Sequence, residues 1–236
     1  EERGRPWLGM TSIQTADDED LLDRMARSGC RTLFVGFESV NPDSLGEVHK
    51  RCNRVDDYLR NVQRIHARGI MINASFVFGF DHDTTQVFDR TVEFGIQAGL
   101  ESATFTVLTP YPGTTLYQRL DAAGRIFDRD WSHYDTTRAV FWPARMSPQE
   151  LEAGYFHAYE RFYTWNSILA RARIPDPGAL RRLFLNIAYK KVEPLYRLLG
   201  RPVPVGRLRP LFAWYAERDR AALQRRSADQ VLKIQP

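Results

Sequence analysis

From residue 7 to about residue 108 the chain alternates between two hydrophobic rhythms. Short, nearly continuous apolar runs are separated by stretches in which apolar residues recur three and four positions apart. The first run, Trp7–Gln14, leads into Thr15-Ala-Asp-Asp-Glu-Asp, where Thr15 or an early Asp is placed to cap a helix. That helix offers Leu21, Leu22, Met25 and Ala26 as one stripe to bury, and Gly29 is placed to stop it. Thr32-Leu-Phe-Val-Gly-Phe reads as a strand covered on both faces. A helix from about Val55 to Arg68 turns Tyr58, Leu59, Val62 and Ile65 inward and closes at Gly69. Ile70–Phe78 is the next strand, a helix from about Thr84 to Ala98 ends at Gly99, and Ala103–Leu108 is the fourth strand.

Alternation of this kind implies right-handed crossovers and a parallel sheet. Four units make half of an eight-stranded barrel. The expected fold class is therefore α/β, a partial (β/α) barrel of about four parallel βα units followed by a mostly helical C-terminal region. After a short helix, Leu116–Ala122, and an aromatic loop from Phe127 to Trp142, Ser147-Pro-Gln-Glu150 reads as a capping box with Pro at the first helical position. It opens a long helix through about Arg173 that buries Leu151, Tyr155, Tyr159 and Phe162. The expected organisation is a partial barrel over 1–145, a closing helix within 146–175, and a basic helical tail over 176–236.

Charge separates the tail from the rest. The 236 residues carry a formal net charge of +4. Residues 1–170 hold 18 Lys and Arg against 24 Asp and Glu, while 171–236 hold 15 against 5. Basicity thus belongs to the tail alone, and its helices lack the interleaved aromatics of single-strand binders, so no nucleic-acid partner is expected. Within 179–199, Leu180, Leu183, Phe184, Ile187 and Leu195 accompany Arg181, Arg182, Lys190, Lys191 and Arg197. Such a helix suits either a membrane surface or packing on the barrel with a solvated basic face. No apolar run is long enough to span a bilayer. Two cysteines, Cys30 and Cys52, cannot staple a domain of this size, which favours the reducing cytoplasm, and a membrane-surface role for 179–199 would place the protein at the inner membrane face. The first residues resemble no signal peptide and include no starting Met, so the chain is expected to be part of a longer protein.

In parallel α/β folds functional residues gather where strands end. Three ends here combine Gly or Pro with polar side chains: Gly36-Phe-Glu38-Ser39, Gly79-Phe-Asp81-His-Asp83-Thr84, and Leu108-Thr109-Pro110-Tyr111-Pro-Gly-Thr114. Each has a plainer use. Glu38 could cap the helix after its strand, Asp83 or Thr84 could cap the next helix, and Pro110-Tyr-Pro-Gly is a rigid turn. Asp81-His82-Asp83 is too tightly spaced for one metal, Cys30 suits a small core residue, and His49, His66 and His157 suit surface or packing positions. Tyr111, Trp131, Tyr134 and Trp142 would suit an apolar or ring-containing small-molecule substrate, and suit a hydrophobic core equally well.

In this order the segments resemble the radical S-adenosylmethionine (SAM) superfamily, most nearly its cobalamin-binding members that include hopanoid-modifying enzymes. The resemblance runs over about 5–173. It is carried by Ser28-Gly-Cys-Arg-Thr-Leu-Phe-Val-Gly-Phe-Glu-Ser39, Lys50-Arg-Cys-Asn53, Phe76-Val-Phe-Gly-Phe-Asp-His-Asp-Thr84, Leu108-Thr-Pro-Tyr-Pro-Gly-Thr114, Gly124-Arg125, Asp130-Trp131, Met146–Leu151 and Phe162–Arg171. It implies a (β/α) barrel of about six strands, of which these would be the third to sixth, working with SAM, a [4Fe-4S] cluster and, in the nearest group, cobalamin. It places Glu38 and Ser39 against the SAM ribose or methionine moiety. Val77, Gly79 and Asp81, with Leu108, Thr109 and Pro110, would border the adenine. The family's Cys-x3-Cys-x2-Cys loop, its Gly-Gly-Glu segment and a cobalamin domain have no counterpart here. The resemblance therefore implies the C-terminal part of a radical SAM enzyme, inactive as this chain alone. The rival expectation is a degenerate half-barrel serving as a scaffold.

Overall fold

The computed structural model describes residues 5–47 and 53–172, together with 180, 182, 183, 186 and 187. Cys52, His49, Lys50 and most of the expected basic helical tail lie outside the described residues. The chain divides into two compact units, Glu1–Ile187 and Ala188–Pro236. The first holds all the elements below.

Four parallel strands, β1 (Trp7–Ser12), β2 (Cys30–Glu38), β3 (Met71–Phe78) and β4 (Ser102–Val107), pair in the order β1-β2-β3-β4. The connections carry helices α1 (Glu19–Arg27), α2 (Pro42–Glu47), α3 (Tyr58–Ala67) and α4 (Gln86–Ala98). Beyond β4 come α5 (Thr115–Ala122), α6 (Pro148–Phe162) and α7 (Trp165–Ala172). This is the expected half-barrel.

The two faces of the sheet differ sharply, which corrects the expectation of strands covered on both sides. One face buries Leu33, Val35 and Phe37, Ile72, Ala74, Phe76 and Phe78, and Ala103, Phe105 and Val107 against the helices. Phe37, Phe76 and Phe105 stack successively along it, at centroid distances of 5.4 and 5.9 Å. The opposite face is half-open, and Leu8 and Met10 on it are 75% and 79% exposed. The same alternation that buries one set of side chains leaves the other for whatever the barrel encloses.

Local sequence explains most boundaries. Asp18, rather than Thr15, caps α1 by accepting from the Leu21 amide at 2.8 Å. Leu22 is fully buried, but Leu21 points outward, 42% exposed. Tyr58, Val62 and Ile65 of α3 are buried, with Leu59 partly so. Gly99 takes the left-handed conformation (φ 69°) that ends α4. The capping box is present: the Glu150 amide donates to Ser147 Oγ at 3.1 Å, and the Ser147 amide to Glu150 Oε2 at 2.7 Å.

The single long helix expected after it is two helices. Thr164 Oγ1 accepts from the Ser167 amide at 3.3 Å and so starts α7, while Arg171 and Ser167 take the Phe162 carbonyl that a continuous helix would have used internally. Gly154 lets α6 approach α4: a Cβ there would meet the Phe88 ring at 2.0 Å.

The bottom of the sheet, where strands begin, holds a buried polar network. Glu101 accepts from the Ile72 amide (2.9 Å) and Arg182 Nε (2.9 Å), and lies 3.0 Å from His66 Nε2. Burial alone would raise its carboxyl, but His66, the amide and Arg182 hold it below the usual range. Arg171 is buried, donates to the Leu100, Glu101 and Phe162 carbonyls, and stacks 3.8 Å from the Phe162 ring centroid. Desolvation pushes its guanidinium down to about 10. In barrels of this type such an end reads as stability rather than chemistry.

Candidate functional site

The opposite rim brings the three strand ends together. Between Gly36 and Glu38 the β2–β3 register shifts, and Glu38 adopts φ 65°, a conformation that L-residues avoid. Its neighbours hold it there. Asn53 Nδ2 donates to the Gly36 and Phe37 carbonyls (3.2 and 3.1 Å), and Tyr58 Oη donates to the Phe37 carbonyl (2.8 Å). Both side chains are buried, and Gln14 Nε2 donates to Asn53 Oδ1 at 3.2 Å. The kink that presents Glu38 is therefore built from two buried side chains that reach it from outside β2. Sequence reasoning placed Tyr58 in the core without this hydrogen bond and gave Asn53 no role, although Asn53 lies in a segment that carried the resemblance.

Glu38 does not cap α2. Asn41 does, through its Oδ1 and the Asp43 amide at 3.1 Å. Ser39 is buried, and its Oγ accepts from the Asn41 amide at 3.0 Å, so it shapes the turn.

The β3 end is equally specified. Gly79 has φ 107°, and a Cβ on it would lie 2.9 Å from Leu151 Cδ2. Asp83 does not cap α4. It folds back, accepting from the Gly79 and Phe80 amides (3.0 and 3.1 Å) and from Ser44 Oγ (2.7 Å). Burial raises its carboxyl above the ordinary value despite these donors. Thr84 does not cap it either: Thr85 precedes α4 and makes no side-chain cap bond.

Asp81 is tied into a rim lattice. Burial works to raise its carboxyl, but Arg125 at 2.7 Å, with Arg119 at 3.7 Å, holds it low. The Asp81 amide donates to Glu47, which also pairs with Arg119. These contacts, with Asn41 Nδ2 to the His82 carbonyl (3.1 Å), lock the loop after β3 to α2.

At the β4 end, the Leu108 amide donates to the Phe78 carbonyl at 2.8 Å, joining the two strand ends. Thr109 Oγ1 donates to the Val107 carbonyl at 3.0 Å, and Pro110 offers no N–H. Of the expected binding residues, Val77 lies on the half-open face, while the amides of Gly79 and Leu108 are already paired within the rim.

Tyr111 and Trp131 stand on the surface, 47% and 70% exposed, and Trp142, half exposed, leans on Phe127 with centroids 5.1 Å apart. Tyr134 is instead buried, its hydroxyl donating to the Asp128 carbonyl at 2.7 Å. His66 packs against buried Glu101, and His157 pairs with Asp89 on the surface at 2.9 Å. Cys30 is buried where β2 begins, far along the strand from the rim, and burial raises its thiol. No group of three His, Cys, Asp or Glu placed to hold a metal occurs among the described residues. The rim itself combines a carboxylate, a glycine and apolar walls.

The family model "Radical SAM superfamily" matches residues 2–95, which include Glu38 and Gly79. Residues 2–95 belong to the radical SAM superfamily. Its members use SAM with a [4Fe-4S] cluster. A second model, "Domain of unknown function (DUF4070)", matches 114–174. Among curated relatives, bacteriochlorophyllide d C-12(1)-methyltransferase of Chlorobaculum tepidum is 32% identical over 71% of this chain and 36% of its own. The C-8(2)-methyltransferase of that organism is 28% identical over 76% and 40%. Hopanoid C-2 methylase of Rhodopseudomonas palustris is 29% identical over 50% and 23%. The chain thus spans well under half the length of the curated relatives it matches. A solved structure of the radical SAM methyltransferase TsrM from Kitasatospora setae, with cobalamin and [4Fe-4S] cluster bound, aligns over 73% of this chain and 37% of that one. At 19% identity and a TM-score of 0.43, it is too distant to build on. No described helix is long and apolar enough to cross a membrane.

Proposed function

We propose that this chain supplies the ribose and adenine side of the SAM site in a radical SAM methyltransferase. The observation that carries this is Glu38, a carboxylate held at φ 65° by Asn53 and Tyr58 at the rim of a half-open sheet. A fold maintains such strain where geometry matters more than local stability. A ribose diol donates two hydrogen bonds to a carboxylate, and the adenine would lie by Val77 and Gly79 on one side and Leu108–Pro110 on the other. With the Gly79 and Leu108 amides paired, base recognition falls to backbone carbonyls and apolar contact.

SAM bound to a reduced cluster supplies the radical chemistry of this superfamily. Cys30 and Cys52 are too few for the cluster's thiolates, so its ligands are proposed to come from residues outside these 236, as would any cobalamin. This chain's own residues bind and orient the nucleoside. The relatives' names support methylation of a large, mainly apolar molecule.

Titration with S-adenosylhomocysteine, followed by backbone amide NMR, tests the reading. Shifts centred on Glu38, Gly79 and Leu108 that weaken in Glu38→Gln are expected. Shifts elsewhere, or none at millimolar ligand, would favour a scaffold without SAM handling.

A further inference from the structure

The half-open sheet face is divided chemically across its strands. Register places Met10, Phe34, Asn73 and Ser102 in one row, and Ser12, Gly36, Ser75 and Thr104 in the next toward the rim. The β1–β2 side of this face presents Leu8, Met10 and Phe34. The β3–β4 side presents Asn73, Ser75, Ser102 and Thr104, followed at the rim by Val77 and Thr106. Neither row carries a charged side chain.

The polar half has an internal order. Thr104 Oγ1 donates to Asn73 Oδ1 at 3.3 Å, which turns the amide so that its NH2 is the end left over. Among the described residues that NH2 and the Ser75 hydroxyl have no hydrogen-bond partner, and both side chains are half-buried on the same face two positions apart. Two donors on one face beside an apolar floor can serve an acceptor that a ligand brings.

We propose that Asn73 and Ser75, with the Asn73 amide oriented by Thr104, form a subsite for an uncharged carbonyl oxygen on the apolar substrate of this enzyme. Asn73 and Ser75 contact that oxygen, Thr104 is a positioning residue, and Phe34 and Met10 support the substrate's apolar body. A carboxylate is disfavoured, because neither row offers a cation to offset its desolvation. The inference rests on the SAM-site reading for the identity of the ligand as substrate, since the subsite continues the same face that ends at Glu38 and Val77.

Three probes of one shape test it on the full chain: 2-acetylnaphthalene, 2-ethylnaphthalene and 2-naphthoate. The ketone is expected to bind about fivefold tighter than the hydrocarbon, one hydrogen bond's worth, and to shift the Asn73 side-chain amide resonance. The carboxylate should bind no tighter than the hydrocarbon. Asn73→Leu should abolish the ketone preference, and Thr104→Val should reduce it while leaving hydrocarbon binding unchanged. If Asn73→Leu perturbs the backbone spectrum, Ser75→Ala, which should reduce the preference, decides instead. Equal binding of ketone and hydrocarbon, a stronger carboxylate, no ketone binding, or a preference that survives in a folded Asn73→Leu protein would each overturn the subsite. S-adenosylhomocysteine shifts at Glu38 and Gly79 should be unchanged by Asn73→Leu. Their absence beside an intact ketone preference would defeat the SAM reading alone.

Discussion

Comparing Glu38→Ala with Glu38→Gly separates what the fold imposes on Glu38 from what its carboxylate does. Both variants remove the same carboxylate and its contacts, so the difference between them reports the backbone alone. At φ 65° a residue with a Cβ carries about 1–2 kcal/mol of steric cost, which glycine escapes. Glycine's added freedom in the unfolded chain takes back about 0.4–1 kcal/mol. Glu38→Gly is therefore expected to be about 0.5–1 kcal/mol more stable than Glu38→Ala. In a domain of this size that corresponds to a melting temperature about 1–4 °C higher by calorimetry, and to a higher urea midpoint at unchanged slope. S-adenosylhomocysteine should bind more weakly to both. An alanine variant as stable as the glycine variant would show that the Asn53 and Tyr58 contacts do not hold the backbone in the left-handed region. Undiminished affinity in both would remove Glu38 from the binding site.

Gly79→Ala meets both a φ of 107° and Leu151 at 2.9 Å, and should cost about 1–3 kcal/mol in urea denaturation. A wild-type midpoint would refute the close approach of β3 to α6. Two buried carboxylates should shape the pH dependence of stability with opposite signs. Glu101 has a folded pKa below its unfolded value of 4.5, so its contribution is complete above that pH and fades as pH falls through the folded pKa. Asp83 has a folded pKa above its unfolded 3.8, so its contribution is complete below that pH and declines as pH rises through the folded pKa. Unfolding free energies of wild type, Glu101→Gln and Asp83→Asn across pH 3–7 should show the first difference shrinking toward acid and the second shrinking toward neutrality. Parallel curves would contradict both assignments.

The order of strands and helices was legible because each is a local pattern. Apolar-rich runs at Leu33–Phe37 and Ile72–Phe78, helical spacing at Tyr58–Ile65, glycines at 69 and 99, and the Ser147–Glu150 box all act within a few residues. Such short-range rules survive without knowledge of the fold. The strand-end location of the rim followed from the same alternation.

What sequence left open was where each side chain finds its partner. Asp83 and Glu38 both suited helix caps, yet Asp83 turns back to the Gly79 and Phe80 amides, and α2 takes Asn41 as its cap. Asn53 and Tyr58 reach the β2 kink across 16 and 21 residues of chain, and Arg171 reaches the start of β4 across about 70. Thr164 breaks a helix whose periodicity ran on, because Arg171 and Ser167 compete for the Phe162 carbonyl. The two unlike faces of the sheet emerged only when register put Asn73, Ser75 and Thr104 together. Sequence determines which backbone conformations are locally favourable. Crossovers and register decide which distant polar groups meet, and a buried polar group must be satisfied by whichever partner the fold brings within reach.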